Sequence, residues 1–197
     1  MPCRLNNAIL CPKGLIMKKV TREILIHAHS KCRSMPVYSD PNFPPSLYYR
    51  FFEVVASVVE PEISVELGTC GGGAALHLAK GWSAGRVTSF DITKEPTVQI
   101  VESTFSNFRF VQEDVVAGAS MFEPGSVSIL FIDTTHTYEQ TVKEYTAWGS
   151  KIAHGGVIFF DDLGREGMWP ALREIGGDQV HFSDLGGDGG MVALLIS

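Results

Sequence analysis

The stretch Val65-Glu66-Leu67-Gly68-Thr69-Cys70-Gly71-Gly72-Gly73-Ala74-Ala75 constrains this chain more than any other. An apolar run passes through an acid into a glycine-rich turn, and the residues from Ala74 to Lys80 are good helix formers. The order is strand, tight turn, helix. Glycine lets the backbone take φ > 0 and lets a ligand approach with no Cβ in the way. The helix then starts with free N–H groups and the positive end of its dipole directed over the turn. Such a turn builds a small-molecule site of the nucleotide-binding α/β type.

The rest of the chain extends this pattern. Apolar runs that close on acids mark strands at Ile63–Gly68, Arg86–Ile92, Phe108–Asp114, Val127–Asp133 and Val157–Asp162. Helical stretches are expected at Gly72–Trp82, Glu95–Phe105, Tyr138–Ile152 and Trp169–Ile175. Alternating β and α units with strands apolar on both faces imply a parallel sheet covered on each side by helices. Two last strands, Gln179–Asp184 and Met191–Ile196, flank Gly186-Gly187-Asp188-Gly189-Gly190. That link is too short for a crossover helix, so the pair is expected as an antiparallel hairpin at the sheet's edge.

Ahead of this core, Ser46 reads as the N-cap of a helix from Leu47 to Val59. A four-residue stripe of Ile16, Val20, Ile24 and Ala28 predicts a helix over 15–29. Residues 1–14 have no period, and the proline-rich segment 36–45 cannot be regular structure. The division is thus an arm and helix over 1–45, available as a lid or an oligomer contact, and one domain over 46–197.

A length of 197 residues suits one core, and 45% hydrophobic content is ordinary for it. The net charge of −6 argues against a nucleic-acid partner. The four cysteines form no CxxC pair and no zinc spacing, so they read as reduced thiols of a cytoplasmic protein. No apolar run reaches the roughly 18 residues of a membrane span, and the run from Ala8 to Cys11 is too short for a signal-peptide core.

The dinucleotide fingerprint G-x-G-x-x-G fails here. Counting from Gly68, the second glycine place holds Cys70; counting from Gly71, the third holds Leu76. Glu66 would oppose phosphates and suits a cationic ligand group. Asp91 is placed to accept ribose hydroxyls, and Asp114 an adenine amino group. Five acids on one rim (Asp91, Asp114, Asp133, Asp161, Asp162) indicate a polar site, because charge is not otherwise gathered at a buried sheet's end.

Glu66-Leu67-Gly68-Thr69-Cys70-Gly71-Gly72 resembles the first motif of class I S-adenosylmethionine-dependent methyltransferases, and Ser89-Phe90-Asp91 and Val111-Gln112-Glu113-Asp114 look like the second and third. Phe131 to Glu139 with His154 to Asp162 resembles the family of macrocin-type sugar O-methyltransferases and cephalosporin-hydroxylase-like proteins. The resemblance covers roughly residues 47–197. It implies a Rossmann-like seven-stranded, mostly parallel sheet of order 3-2-1-4-5-7-6 with strand 7 antiparallel. It implies S-adenosylmethionine held by Glu66, Gly68, Thr69, Gly71, Gly72, Asp91, Asp114 and Asp133. The reaction it implies is methyl transfer to a small hydroxylated acceptor.

Three carboxylates at the ends of neighbouring strands repel unless a cation joins them. Asp133, Asp161 and Asp162 are therefore candidate ligands for a hard ion such as Mg²⁺, as in metal-dependent relatives. The other reading is that Asp133 touches only the cofactor and Asp161-Asp162 cap the next helix. His136 is the candidate base, three residues after the first acid. Thr135 stands where sugar-type relatives carry an acid. A non-catalytic S-adenosylmethionine-binding module and, against the broken fingerprint, an NAD-dependent oxidoreductase remain as alternatives.

Overall fold

Strands apolar on both faces need cover on both faces, and the chain supplies it by sending successive crossovers to opposite sides of one sheet. The computed structural model describes residues 18–35 and 46–197. The arm over 1–14, the start of the first expected helix and the proline-rich segment 36–45, with its lid reading, lie outside the described residues.

The strands are β1 (Ile63–Leu67), β2 (Arg86–Asp91), β3 (Phe108–Gln112), β4 (Val127–Ile132), β5 (Ile152–Phe160), β6 (Asp178–Phe182) and β7 (Met191–Leu195). They form one seven-stranded sheet in the order β3-β2-β1-β4-β5-β7-β6. All pairings are parallel except β5 with β7 and β6 with β7. The expected sheet, with its antiparallel closing hairpin, is the one found. Strand order reverses between β1 and β4, so a crevice opens beyond their carboxyl ends.

The helices are α1 (Arg22–Ser34), α2 (Leu47–Val59), α3 (Gly73–Gly81), α4 (Pro96–Thr104), α5 (Val115–Gly118), α6 (Tyr138–Trp148) and α7 (Met168–Ile175). Alternation along the strands sorts two cores. Ile129, Phe131, Val157 and Phe159 pack with α1 to α4, and Ile63, Val65, Leu67, Leu130, Ile132, Ile158 and Phe160 pack with α5 to α7. In the first layer Phe52 of α2 meets Phe131 at 4.6 Å and Phe159 at 5.3 Å between ring centroids. In the second, buried Trp148 packs on Phe90 and Phe122 and donates its indole N–H to Val115 O at 2.8 Å. Phe51, Phe52 and Trp148 are core residues, not pocket lining.

Some boundaries differ from expectation. The first helix begins at Arg22, because Thr21 caps it by accepting from Ile24 N at 3.3 Å, and it buries Leu25, Ala28 and Cys32. Val20 of the expected stripe is buried ahead of the helix, where its N–H donates to Gly155 O at 2.7 Å. Ser46 holds the N-cap position of α2 without a side-chain capping bond. The sixth helix ends at Trp148, and β5 starts five residues early at Ile152. The one-turn α5 went unpredicted; its signal is Asp114, whose Oδ1 accepts from Val116 N and Ala117 N at 3.0 Å each.

Glu66 departs most from its expected role. Ile63, Val65 and Leu67 face the α5–α7 layer, so Ser64 and Glu66 face the other way, under α3. There Glu66 is 2% exposed. Its Oε1 accepts from Ala75 N at 3.2 Å in the first turn of α3, its Oε2 accepts from Ser89 Oγ, and Ser89 Oγ pairs with Thr69 Oγ1 at 2.6 Å. Burial, against the Ser89 hydrogen bond, pushes its carboxyl up to about 8. Glu66 is thus a buried strut between strand and helix, neutral at pH 7, and not an anion facing a ligand. Thr69, 3% exposed, belongs to the same strut.

The folded state binds the Glu66 proton more tightly than a free carboxyl, with its ordinary value of 4.5. The stability this gives is complete below pH 4.5 and is lost as pH rises through about 8. Glutamine keeps both hydrogen bonds, because its amide can donate to Ser89 Oγ. Thermal unfolding from pH 5 to 8.5 is therefore expected to show a steeper fall in midpoint for the wild type than for Glu66→Gln. Parallel pH curves would show that the buried carboxyl does not set this slope.

Candidate functional site

Beyond the carboxyl ends of β1, β2 and β4 lies a crevice of about 440 Å³. Its near wall is the glycine turn. Gly68 has φ +88°, and a Cβ there would lie 1.9 Å from Asp133 O. Gly72 takes φ +83° as N-cap of α3, and Gly71 lies between it and Cys70. Cys70 itself has φ +44°, a conformation uncommon outside glycine, asparagine, aspartate and histidine. It is held there by its N–H, which donates to Asp91 Oδ2 at 3.1 Å.

Asp91 also accepts at Oδ1 from the N–H of Thr93 at 3.0 Å and from its hydroxyl at 3.2 Å, so its carboxylate is fixed in orientation. Oδ2, with only Cys70 N on it, keeps a further lone pair for a ligand hydroxyl. Asp114 reaches the same crevice from the N-cap of α5. Between the two acids, Ile92 and Val115 supply apolar surface, and exposed Ile92 has no core role. Of the expected cofactor residues, Gly68, Asp91, Asp114 and Asp133 line this crevice. Gly71 and Gly72 shape its turn from behind, and Glu66 and Thr69 are buried away from it.

A second cavity, about 670 Å³, adjoins the first at Thr135. His136 and Thr137 line it on one side, Arg165 and Pro170 on the other. His136 has φ +55°, and Asp162, opposite it, φ +52°. Conformations of this kind cost about 1–3 kcal/mol each and persist only where surroundings enforce them. His136 Nε2 lies 3.3 Å from Asp133 Oδ1 and 3.6 Å from Asp162 Oδ2. Burial alone would lower its pKa, but the hydrogen bond to Asp133 and the charges of Asp133, Asp162 and Asp161 raise it above its ordinary value.

The three rim acids are each held by donors of the chain. Asp133 Oδ2 accepts from Tyr48 Oη at 3.1 Å. That phenol, pushed well above its usual range first by burial and then by the Asp133 charge, stays a donor. Asp161 Oδ1 accepts from Gly187 N at 3.2 Å, and Asp162 Oδ1 from Asp188 N at 2.6 Å. Arg165 Nε lies 3.4 Å from Asp162 Oδ2. Burial, then the charges of Asp133 and Asp162, push Asp161 up to about 6. Neither acid caps the following helix; Gly167 is the N-cap of α7.

Among the described residues, no three of His, Cys, Asp and Glu are arranged to hold a metal ion. The expected three-carboxylate Mg²⁺ site is therefore not formed as the side chains stand. Strand-end spacing places the three acids on one rim but says nothing of the competing donors.

Sequence reasoning missed several residues here. Tyr48 was visible only as one of many aromatics. The glycine-rich hairpin turn read as a linker, yet a Cβ at Gly186 would lie 2.0 Å from Asp161 Oδ1 and one at Gly187 2.2 Å from Asp162 Oδ1. Glu144, fully buried in α6, binds Thr134 Oγ1 and Gln140 Nε2 through Oε1, at 2.8 Å each, and so braces two residues of the crevice wall. His29 and His77 also have acid partners that sequence did not show, Asp184 and Glu53, both at 2.9 Å.

Comparison with known proteins agrees with this arrangement. No curated protein sequence matches the chain. Solved structures share the fold. A protein from Corynebacterium glutamicum superposes with a TM-score of 0.64 at 14% identity, over 88% of this chain and 89% of that one. The O-methyltransferase from Bacillus cereus in complex with S-adenosylhomocysteine gives 0.58 at 16% identity, over 89% and 90%. The O-methyltransferase TomG from Streptomyces achromogenes, in complex with S-adenosylmethionine, gives 0.58 at 14%, over 91% and 92%. A family model described as a methyltransferase domain matches residues 65–163, from β1 to just past the paired acids. The match is to that domain as such and does not reach the macrocin-type branch. Spanning half of the sequence and both walls of the crevice, it makes the chain a member of this methyltransferase-domain family.

Proposed function

We propose that this protein transfers a methyl group from S-adenosylmethionine to a hydroxyl oxygen of a small molecule. One observation carries the reading: the crevice walled by Gly68, Asp91 and Asp114 shares Thr135 with a neighbouring cavity, and His136 stands on that cavity's wall. A donor and an acceptor bound side by side need two such spaces with one shared edge. The O-methyltransferase structures with bound S-adenosylmethionine or S-adenosylhomocysteine support the choice of donor.

When bound, S-adenosylmethionine supplies an electrophilic methyl on a sulfonium. The chain's part is positioning and proton removal. The fixed carboxylate of Asp91 accepts from a ribose hydroxyl at Oδ2, and Asp114 accepts from the adenine edge, with Ile92 and Val115 against the ring. Asp133 Oδ1 holds the His136 proton on Nε2, which leaves Nδ1 as the nitrogen that accepts a proton from the acceptor hydroxyl. Tyr48 fixes the other oxygen of Asp133 and so keeps that carboxylate aimed at the imidazole.

Calorimetry is expected to show S-adenosylhomocysteine binding that NADH does not displace. Asp91→Ala should weaken it by roughly ten- to a hundredfold, because hydrogen bonds to a charged group contribute about 1.5–3 kcal/mol. Displacement by NADH would sink the choice of cofactor. Gly68→Ala forces a methyl group onto the Asp133 carbonyl and is expected to abolish binding together with folding.

With labelled methyl donor and a panel of hydroxylated acceptors, His136→Ala is expected to slow transfer by about 10²–10⁴. Its affinity for S-adenosylhomocysteine should stay within a few-fold of wild type. Undiminished transfer by the variant would remove His136 from the role of base. Tight cofactor binding with no transfer to any acceptor by the wild type would favour a binding module instead.

A further inference from the structure

We infer that the side chain of His136 occupies the cation position of the acidic rim, so that a divalent ion enters between Asp133 and Asp162 only when this imidazole is removed. The inference concerns the chain's own residues and stands apart from the methyl-transfer reading, since it can be measured without any acceptor.

Three carboxylates gathered at the ends of β4 and β5 need something between them. A hard divalent ion would do this with oxygen ligands at about 2.0–2.6 Å and six or more ligand positions. Here Nε2 of His136 already lies between two of the acids, 3.3 Å from Asp133 Oδ1 and 3.6 Å from Asp162 Oδ2. The remaining oxygens of those two acids are also engaged. Tyr48 donates to Asp133 Oδ2, and Asp188 N donates to Asp162 Oδ1. An ion would have to displace the imidazole to reach an oxygen of each acid.

The backbone shows that this placement is enforced. Among the described residues four non-glycine residues have positive φ, and His136 and Asp162 are two of them. Both partners of the contact are therefore held in the left-handed region, on loops from different strands. The hairpin turn closes the third side. Its glycines let Asp161 Oδ1 and Asp162 Oδ1 come within 2.0 and 2.2 Å of where a Cβ would be, and its N–H groups donate to the same oxygens. Removing the imidazole frees Asp133 Oδ1 and leaves Asp162 Oδ2 with only Arg165 Nε beside it, at 3.4 Å on an exposed side chain.

The test uses Mn²⁺ as probe, with free ion counted by its electron paramagnetic resonance signal. Wild type, His136→Gly and His136→Ala are compared; the glycine variant also relieves the positive φ. Both variants are expected to bind one Mn²⁺ at least about tenfold more tightly than the wild type. Adding Asp133→Asn to His136→Gly is expected to remove the gain. Circular dichroism confirms folding of each protein. Wild type that binds Mn²⁺ as tightly as the variants, or variants that lose binding, would make His136 a bystander or a ligand and overturn the inference. Absence of any gain in folded variants overturns it equally. Failure of the wild type to bind S-adenosylhomocysteine would refute the proposed function and leave this comparison standing.

Discussion

The site depends on one close approach, between Gly68 at the end of β1 and the backbone of Asp133 at the end of β4. Asp133 N donates to Leu67 O at 2.9 Å, and Gly68 N donates to Phe90 O at 2.9 Å. Three strands are thus stitched together at the point where the chain leaves them in different directions. No side chain fits at position 68, with a Cβ site 1.9 Å from the Asp133 carbonyl. Because β1 and β4 meet there, the turn after β1 faces one cavity and the loop after β4 borders two. The loop from Asp133 to Thr137 is the shared wall, and it carries the histidine.

Charge at this wall is organised by burial. Facing α3, Glu66 is neutral at pH 7, with its carboxyl pushed up to about 8. Glu144, beneath the wall, is raised by desolvation. These two acids act as hydrogen-bonding struts under the two loops. On the rim, protein donors receive the carboxylates. A buried charge is tolerable only when paired, and each rim acid is paired from a different part of the chain. Tyr48 comes from α2, His136 from the loop after β4, and Gly187 and Asp188 from the closing hairpin. The site therefore forms only once the sheet is complete.

That dependence explains what could be read from sequence. The alternation of strands and helices, the antiparallel hairpin and the crevice followed from local signals (apolar runs, glycine turns and strand-ending acids), and the strand order followed from the family resemblance. Asp91 and Asp114 were legible for the same reason, since position at a strand end places a side chain on the rim. Glu66 was misread because the alternation of β1 turns it under α3, and a single acid before a glycine turn does not say which face it takes. The metal reading of Asp133, Asp161 and Asp162 rested on strand-end spacing, carboxylate repulsion and resemblance to metal-dependent relatives. Spacing brings carboxylates together but is silent on Tyr48, 85 residues upstream of Asp133, and on the hairpin N–H groups 26 residues downstream of Asp161 and Asp162. Partners so distant in sequence leave no local pattern.

The two spaces proposed for donor and acceptor have different structural support, and on that proposal this bears on how such a chain changes its substrate. The donor crevice is built from strand ends, a helix N-cap and the Gly68 contact, all tied to the cores. The second cavity is walled by the loop 135–139 and the segment 165–170, with Arg165 exposed and held by Asp162 and Asp188 at its outer edge. Substitutions at Arg165 and Glu166, ahead of α7, can reshape that cavity with little effect on the sheet, because loops tolerate change that strands do not. The sheet and glycine turn are kept by geometry, and the acceptor wall is free to diverge. His136 lies at the boundary. Its backbone belongs to the rigid loop after β4, and its side chain to the variable space. A residue so placed can stay fixed relative to the donor while the acceptor that meets it changes.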